Sequence, residues 1–342
     1  MKLKIFSILK YILLVVFGIF MYVIFYPNEY DVPKMKNREG TNYWNLKTGS
    51  RIAFTLIRAK GIKKPYPFLF LQGGPGGFYS NYTIKSFTPI AEKGYDVYLY
   101  DQIGSGHSAR LTNINEYTAD RHKKDLEEIV KKIGAPKVIL IGQSWGAILA
   151  TLYIADNPEK VEKVIFTGPG PIQPPNRHLA SIQAPESLQL RELQYQNSEA
   201  NEEVQTLRTQ LMQKWAYLFG RKLCPDKEAD EFQTLLNSKL SKATVCDTSL
   251  ALKAEGGGGY YAQIMTVKSL AASKDPRPAL KQVKIPALIM KGQCDNQKWG
   301  YTSEYLQLFK NHKLVVIAGA GHSISIEQPA LYISTILGFL NE

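Results

Sequence analysis

The stretch from Val138 to Ile154 constrains this chain more than any other. A continuous apolar run, Val138 to Ile141, is followed by Gly142-Gln143-Ser144-Trp145-Gly146 and then by an Ala- and Leu-rich segment, Ala147 to Ile154. The run suits a strand buried on both faces, and the segment after it suits a helix. Passing from strand to helix in so few residues demands a sharp turn, with Ser144 held in a strained backbone conformation. Side chains at 142 and 146 would collide with that turn, so both positions need glycine. The turn lifts the Ser144 hydroxyl above the sheet edge. It also leaves the Trp145 N–H at a helix start, where it can stabilise a developing oxyanion.

The rest of the chain supplies the sheet that such a turn requires. Strands are predicted at Ile52–Ile57, Pro67–Leu71, Asp96–Tyr100, Val161–Phe166, Ile285–Met290 and Leu314–Ile317. Between Tyr117 and Ile133, Leu126, Ile129, Val130 and Ile133 fall at helical spacing, and Gly134 ends that helix. Pro329 to Leu340 reads as a last amphipathic helix. Strands alternating with helices predict an α/β fold, a mostly parallel sheet flanked by helices. The alternation breaks from Pro171 to about Leu270, where Leu188 to Phe219 has helical periodicity. The expected organisation is therefore a core over 28–170 and 281–342, interrupted by a helical cap over 171–280.

A serine hydroxyl is a weak nucleophile without a base. The chain has five histidines. His122 on a polar helix face, His178 in the cap and His312 in a charged turn read as solvated or satisfied side chains. His107 precedes the serine in chain order. His322 follows the last strand in Gly319-Ala320-Gly321-His322, where small residues let the loop fold over the sheet edge. Asp295 ends the strand before it, in Gly292-Gln293-Cys294-Asp295. Ser144, Asp295 and His322 thus form a candidate triad in the order Ser, acid, His, with Asn296 and Glu304 as weaker acids. Gly73-Gly74-Pro75-Gly76 after an early strand offers bare backbone for a second oxyanion donor, the Gly74 N–H, beside that of Trp145. The Gly-rich loop lacks the Lys-Ser/Thr of a phosphate loop, and no dinucleotide fingerprint appears, so no cofactor is expected. No two histidines have metal-ligand spacing near a Cys pair or Glu, so no metal is expected.

Taken together, Gly73-Gly74-Pro75-Gly76, Asp101-Gln102-Ile103-Gly104-Ser105-Gly106-His107-Ser108, the turn with Trp145, and Gly319-Ala320-Gly321-His322-Ser323 resemble the proline iminopeptidase branch of the α/β-hydrolases. The resemblance implies an α/β-hydrolase fold and a serine hydrolase that releases N-terminal residues from peptides. It also implies a helical cap whose carboxylates hold the substrate's free amine. The chain departs from the family pattern at Gln72, where the family has His, and at Ile103, where it has Arg. Trp215-Ala216-Tyr217-Leu218-Phe219 lacks the cap glutamate. Glu255 and Tyr260, separated by four glycines, echo a second cap motif and are the candidate substrate-binding residues. An esterase or lipase-like hydrolase with the same triad is the alternative, so the substrate is a peptide or a small acyl compound.

The amino terminus adds a separate expectation. Lys2, Lys4 and Lys10 precede an uncharged, Leu-, Val-, Ile- and Phe-rich stretch, Tyr11 to Tyr26. With Lys10 reaching back to the interface, the apolar stretch is long enough to span a bilayer, giving an N-terminal transmembrane helix over 1–27. Phe25-Tyr26-Pro27-Asn28 offers no small-residue cleavage site, which favours an uncleaved anchor over a signal peptide. The preceding lysines place the rest of the chain outside the cytoplasm. The formal net charge of +12 comes with no nucleic-acid signature, so no nucleic-acid partner is expected. An exported location permits disulfides. Of the three cysteines, Cys224 and Cys246 both lie in the cap, and a bridge between them is one expectation, with Cys294 a buried small hydrophobe.

Overall fold

The computed structural model describes residues 2–253 and 255–342. Met1, at the head of the expected anchor, and Ala254, in the expected cap, lie outside the described residues. The strands are β1 (Asn42–Asn45), β2 (Arg51–Ile57), β3 (Phe68–Leu71), β4 (Val97–Tyr100), β5 (Val138–Gln143), β6 (Val161–Thr167), β7 (Ala287–Gly292) and β8 (His312–Ile317). They form one eight-stranded sheet in the order β1-β2-β4-β3-β5-β6-β7-β8. The β1–β2 and β2–β4 pairs are antiparallel and all other pairs are parallel. The expected mostly parallel α/β sheet is therefore present. β1 lies inside a segment whose sequence reads as polar linker, because a short edge strand buries too little to leave an apolar run.

A helix, α1 (Lys2–Phe25), precedes the sheet, and α2 (Asn81–Ala91), α3 (Ala119–Ile133) and α4 (Trp145–Asp156) connect its first strands. Alternation along β3 shows how the layers form. Phe68 and Phe70 pack into one core with Phe87 and Ile90 of α2, while Leu69 and Leu71 face a second core with Leu126 and Ile129 of α3 and the inner face of α4. Thr118 caps α3 by accepting from the Arg121 N–H, and Gly134 closes it in a left-handed conformation at φ 73°. The sequence signal for α2 is weak, since Pro89 lies inside it, but Ser80 and Thr83 close a capping box at its start.

Between β6 and β7 the chain inserts α5 (Asn197–Val204), α6 (Leu207–Phe219), α7 (Asp226–Leu240), α8 (Tyr260–Ser269) and α9 (Arg277–Leu280). Met212 and Ala216 of α6, Phe232 of α7 and Tyr261 and Met265 of α8 are buried and continuous with the second core. The fold closes with α10 (Trp299–Leu308) between β7 and β8, then α11 (Ile324–Glu327) and α12 (Pro329–Leu340). Tyr332, Ile336 and Phe339 of α12 complete the first core.

Candidate active site

At the end of β5, Ser144 has φ 53° and ψ −114°, a left-handed conformation rare for a residue with a side chain. Such strain costs about 1–3 kcal/mol and persists only where the surroundings enforce it. Both flanking glycines do so. A Cβ on Gly142 would lie 2.6 Å from Gly146 O, and one on Gly146 would lie 1.9 Å from Leu71 O at the end of β3. The Ser144 N–H donates to Thr167 O of β6 (3.1 Å), which fixes the turn against the neighbouring strand.

The loop after β3 passes beside the serine. The Cβ position of Gly73 is 3.4 Å from Ser144 Cβ and 4.0 Å from Ser144 Oγ. Among the described residues, neither the Gly74 N–H nor the Trp145 N–H donates to a protein acceptor, so both are available to a ligand. A residue of the Asp101–Ser108 run, with no role evident from its position in the sequence, holds this loop. Buried Gln102 accepts from the Gly76 N–H (3.0 Å) and from the Trp145 indole N–H (3.1 Å) through Oε1, and its Nε2 donates to Gln72 O (2.8 Å). One carboxamide thereby ties the Gly73–Gly76 loop to the first residue of α4. The signal that could have found it is its place in the Asp101–Ser108 run. Asp101 of that run accepts from the Tyr79 N–H (3.1 Å), the His107 N–H (2.7 Å) and the buried Arg38 guanidinium, so it braces the same loops.

Asp295 and His322 meet beyond the ends of β7 and β8. His322 Nδ1 lies 2.9 Å from Asp295 Oδ1, which also accepts from the Gln297 N–H (3.0 Å). The Asp295 side chain is fully buried. Burial pushes its carboxyl up, but the His322 imidazole, the Lys291 ammonium and the hydrogen bonds outweigh this and hold it below the ordinary carboxylate range. Lys291 is itself buried, 3.4 Å from Asp295 Oδ2, and donates to Gln297 O (2.6 Å). The loops are pressed together: a Cβ on Gly292 would lie 2.0 Å from Gly321 O. Gly168, the first residue after β6, joins the two halves of the site. Its Cβ position is 2.7 Å from His322 Nδ1 and 3.4 Å from Asp295 Oδ2, while its neighbour Thr167 accepts from Ser144 N. The hydroxyl of Ser144 has no hydrogen-bond partner among the described residues.

The other histidines lie elsewhere. His107 Nε2 is 3.1 Å from Lys36 O. His122 faces the core, not the polar side of α3. Its ring meets the Thr266 hydroxyl (3.0 Å) and the edge of Trp145, and burial lowers its pKa to about 4. Tyr260 is buried against Phe232 and Tyr261, and its N–H donates to Asp230 Oδ1 (3.2 Å). Glu255 is half-buried at the start of the four-glycine turn. That turn reaches the Gly73–Gly76 loop, since a Cβ on Gly76 would lie 2.7 Å from Gly259 O.

The expected pairing of Cys224 with Cys246 is overturned. Cys246 is bonded to Cys294, with Cα atoms 5.5 Å apart, and Cys224 is a buried free thiol whose pKa burial raises to about 11. The insert returns alongside the loop after β7, so Cys246 meets the cysteine next to Asp295 and not its sequence neighbour. Glu327 supports the same junction, accepting from the Cys246 N–H (2.8 Å) and the Gly321 N–H (2.5 Å).

Comparisons with known proteins agree with this architecture. A proline iminopeptidase from Heyndrickxia coagulans is 26% identical over 299 residues, covering 86% of this chain and 96% of that protein. Another, from Lactobacillus delbrueckii subsp. bulgaricus, is 38% identical over 105 residues, covering 30% of this chain and 35% of that protein. Among solved structures, an esterase from Thermogutta terrifontis superposes with a TM-score of 0.60 at 16% identity, covering 88% of this chain and 98% of its own. The epoxide hydrolase CorEH gives 0.60 at 18%, again covering 88% and 98%. At such identities the structures speak to the fold alone. The family model for the alpha/beta hydrolase fold matches residues 66–329, and the chain belongs to that family.

Proposed function

We propose that this protein is a serine hydrolase in which Ser144, His322 and Asp295 are the catalytic residues, and that it acts as an aminopeptidase on the N-terminal residue of peptides. Ser144 Oγ attacks the carbonyl carbon while His322 Nε2 takes its proton. Asp295 Oδ1 accepts the Nδ1–H, which selects the tautomer and stabilises the imidazolium. The Gly74 and Trp145 N–H groups receive the carbonyl oxygen as it becomes anionic, each worth about 3 kcal/mol in comparable sites. The imidazolium passes its proton to the departing amine, leaving an acyl group on Ser144, and a water deprotonated by His322 then releases it. The observation that carries this reading is the strained serine and the Asp295–His322 pair at the carboxyl ends of neighbouring parallel strands.

The Heyndrickxia coagulans proline iminopeptidase aligns over 86% of this chain, which supports an aminoacyl amide as substrate. Glu255 and Tyr260 are the residues of the insert proposed to line the amine side of the substrate. The four-glycine turn between them adjoins the oxyanion loop. The esterase reading stands as the second, favoured by the absence of a glutamate from Trp215–Phe219. Fluorogenic proline and alanine amides, tested beside short-chain esters on the full-length protein in detergent, separate the two. Turnover of esters with no turnover of any aminoacyl amide refutes the peptidase reading. Labelling by a fluorophosphonate is expected to vanish in Ser144→Ala, with kcat falling about 10⁴- to 10⁶-fold. Persistent labelling refutes the assignment of the nucleophile.

We further propose that α1 is an uncleaved, single-pass membrane anchor, with the catalytic domain outside the cytoplasm. Phe6 to Ile24 has a mean hydropathy of 2.3 and is exposed to the surroundings. The Cys246–Cys294 disulfide suits an oxidising compartment.

A further inference from the structure

α6 carries an apolar stripe that faces away from the protein. At 3.6 residues per turn, Leu207, Leu211, Trp215 and Leu218 share one side of the helix, opposite the buried Met212 and Ala216. Leu207 is 60% exposed, Leu218 75% and Phe219 58%, whereas Leu211 is half-buried. The Trp215 and Phe219 rings pack on each other, with centroids 4.5 Å apart. Core packing does not account for this stripe, and side chains of this size on a helix surface mark a site of contact.

The position of α6 indicates what covers it. Arg208, in its first turn, donates to Val23 O (2.8 Å) and Ile24 O (2.7 Å), carbonyls in the last turn of α1. The same guanidinium is locked to buried Glu228, which also accepts from the Asn28 N–H (3.1 Å). The stripe therefore begins where the apolar α1 ends. Lys214 and Arg221 are exposed at its border, as suits an anionic surface, and Trp215 is a residue type that partitions to the level of lipid headgroups.

We propose that α6 is an in-plane membrane helix. Its stripe enters the headgroup–acyl boundary of an anionic bilayer, about 5–10 Å deep, beside the exit of α1. The proposal rests on the reading of α1 as a membrane span. Because α6 belongs to the insert between β6 and β7, this contact would orient that insert, and the loops it covers, relative to the membrane.

The test uses the full-length protein in vesicles of phosphatidylcholine and phosphatidylglycerol. A bimane label on Leu218→Cys is compared with one on Glu159→Cys, an exposed position at the opposite end of the sheet. Cys224 is buried and the other two cysteines are bridged, so labelling is selective under non-reducing conditions. Lipids brominated in the upper acyl chain are expected to quench most of the Leu218→Cys signal and little of the other. Equal quenching at the two positions overturns the proposal. So does a blue shift at 218 without lipid quenching, which would mean that protein and not lipid covers the stripe. Intact mass and vesicle flotation report on α1 separately. If α1 is missing from the mature protein while the 218 label is still quenched, the anchor reading fails and the α6 contact stands.

Discussion

Lys291 Nζ lies 3.4 Å from Asp295 Oδ2, on the oxygen that His322 does not use. A cation there lowers the energy of the ionised acid and helps hold the Asp295 carboxyl below its ordinary range. Removing it in Lys291→Met is expected to let Asp295 protonate at a higher pH. The acid limb of kcat/KM then moves upward. An unshifted profile would show that the ammonium is screened from the pair. Asp295 itself is held below its ordinary range, so its contribution to stability is present above about pH 4 and is lost as pH falls further. The positions of Ser144, Asp295 and His322 past the ends of strands were legible in the sequence because each follows an apolar run and two sit among glycines. Lys291 was not, since a lysine inside a strand run carries no mark of the carboxylate it faces. Gly168 was equally silent: only the packing of its backbone under His322 gives it meaning.

At the scale of elements, the insert and the loops that follow β7 and β8 form a single junction. Ser323 N–H donates to Thr244 O (2.8 Å), Asn296 Nδ2 donates to Ala243 O (3.0 Å), and the Cys246–Cys294 bond crosses between them. The bridge closes a loop with a sequence separation of 48. In the chain-entropy picture a loop of that size is worth about 4 kcal/mol at most. Cys246→Ala/Cys294→Ala is expected to lower the melting temperature measured by calorimetry. It is also expected to reduce kcat more than it raises KM, because the loosened loop carries Asp295. Wild-type activity in the double variant would show that the backbone bonds alone hold the junction. The strands of the core were readable because parallel strands buried on both faces leave unbroken apolar runs. The cysteine pairing was not, because bridging depends on where the insert returns in space, and the sequence spacing of Cys224 and Cys246 holds no information about that.

For the molecule as a whole, Arg208 is where the apolar amino-terminal helix is fastened to the folded domain. Its guanidinium and the Glu228 carboxylate are both about 93–94% buried at the side chain, from exposures of 7% and 6%. Arg208→Met removes the donors to Val23 O and Ile24 O and leaves Glu228 buried without its counter-charge. Breaking a buried pair in this way costs about 3–5 kcal/mol. A large fall in melting temperature is expected for this variant, together with increased protease sensitivity near Asn28. Arg208→Met/Glu228→Met removes the orphaned charge as well and is expected to recover most of the stability. Its link to α1 stays cut, because no donor replaces the guanidinium at the two carbonyls. The double variant thus separates the two roles of the pair. If α1 and the insert are coupled through Arg208, a fluorophore near Asn28 should report greater rotational freedom in the double variant than in the wild type, at nearly equal melting temperature. Equal anisotropy in the two proteins would mean that packing of α1 on α6, without these hydrogen bonds, sets how the domain sits on its amino-terminal helix.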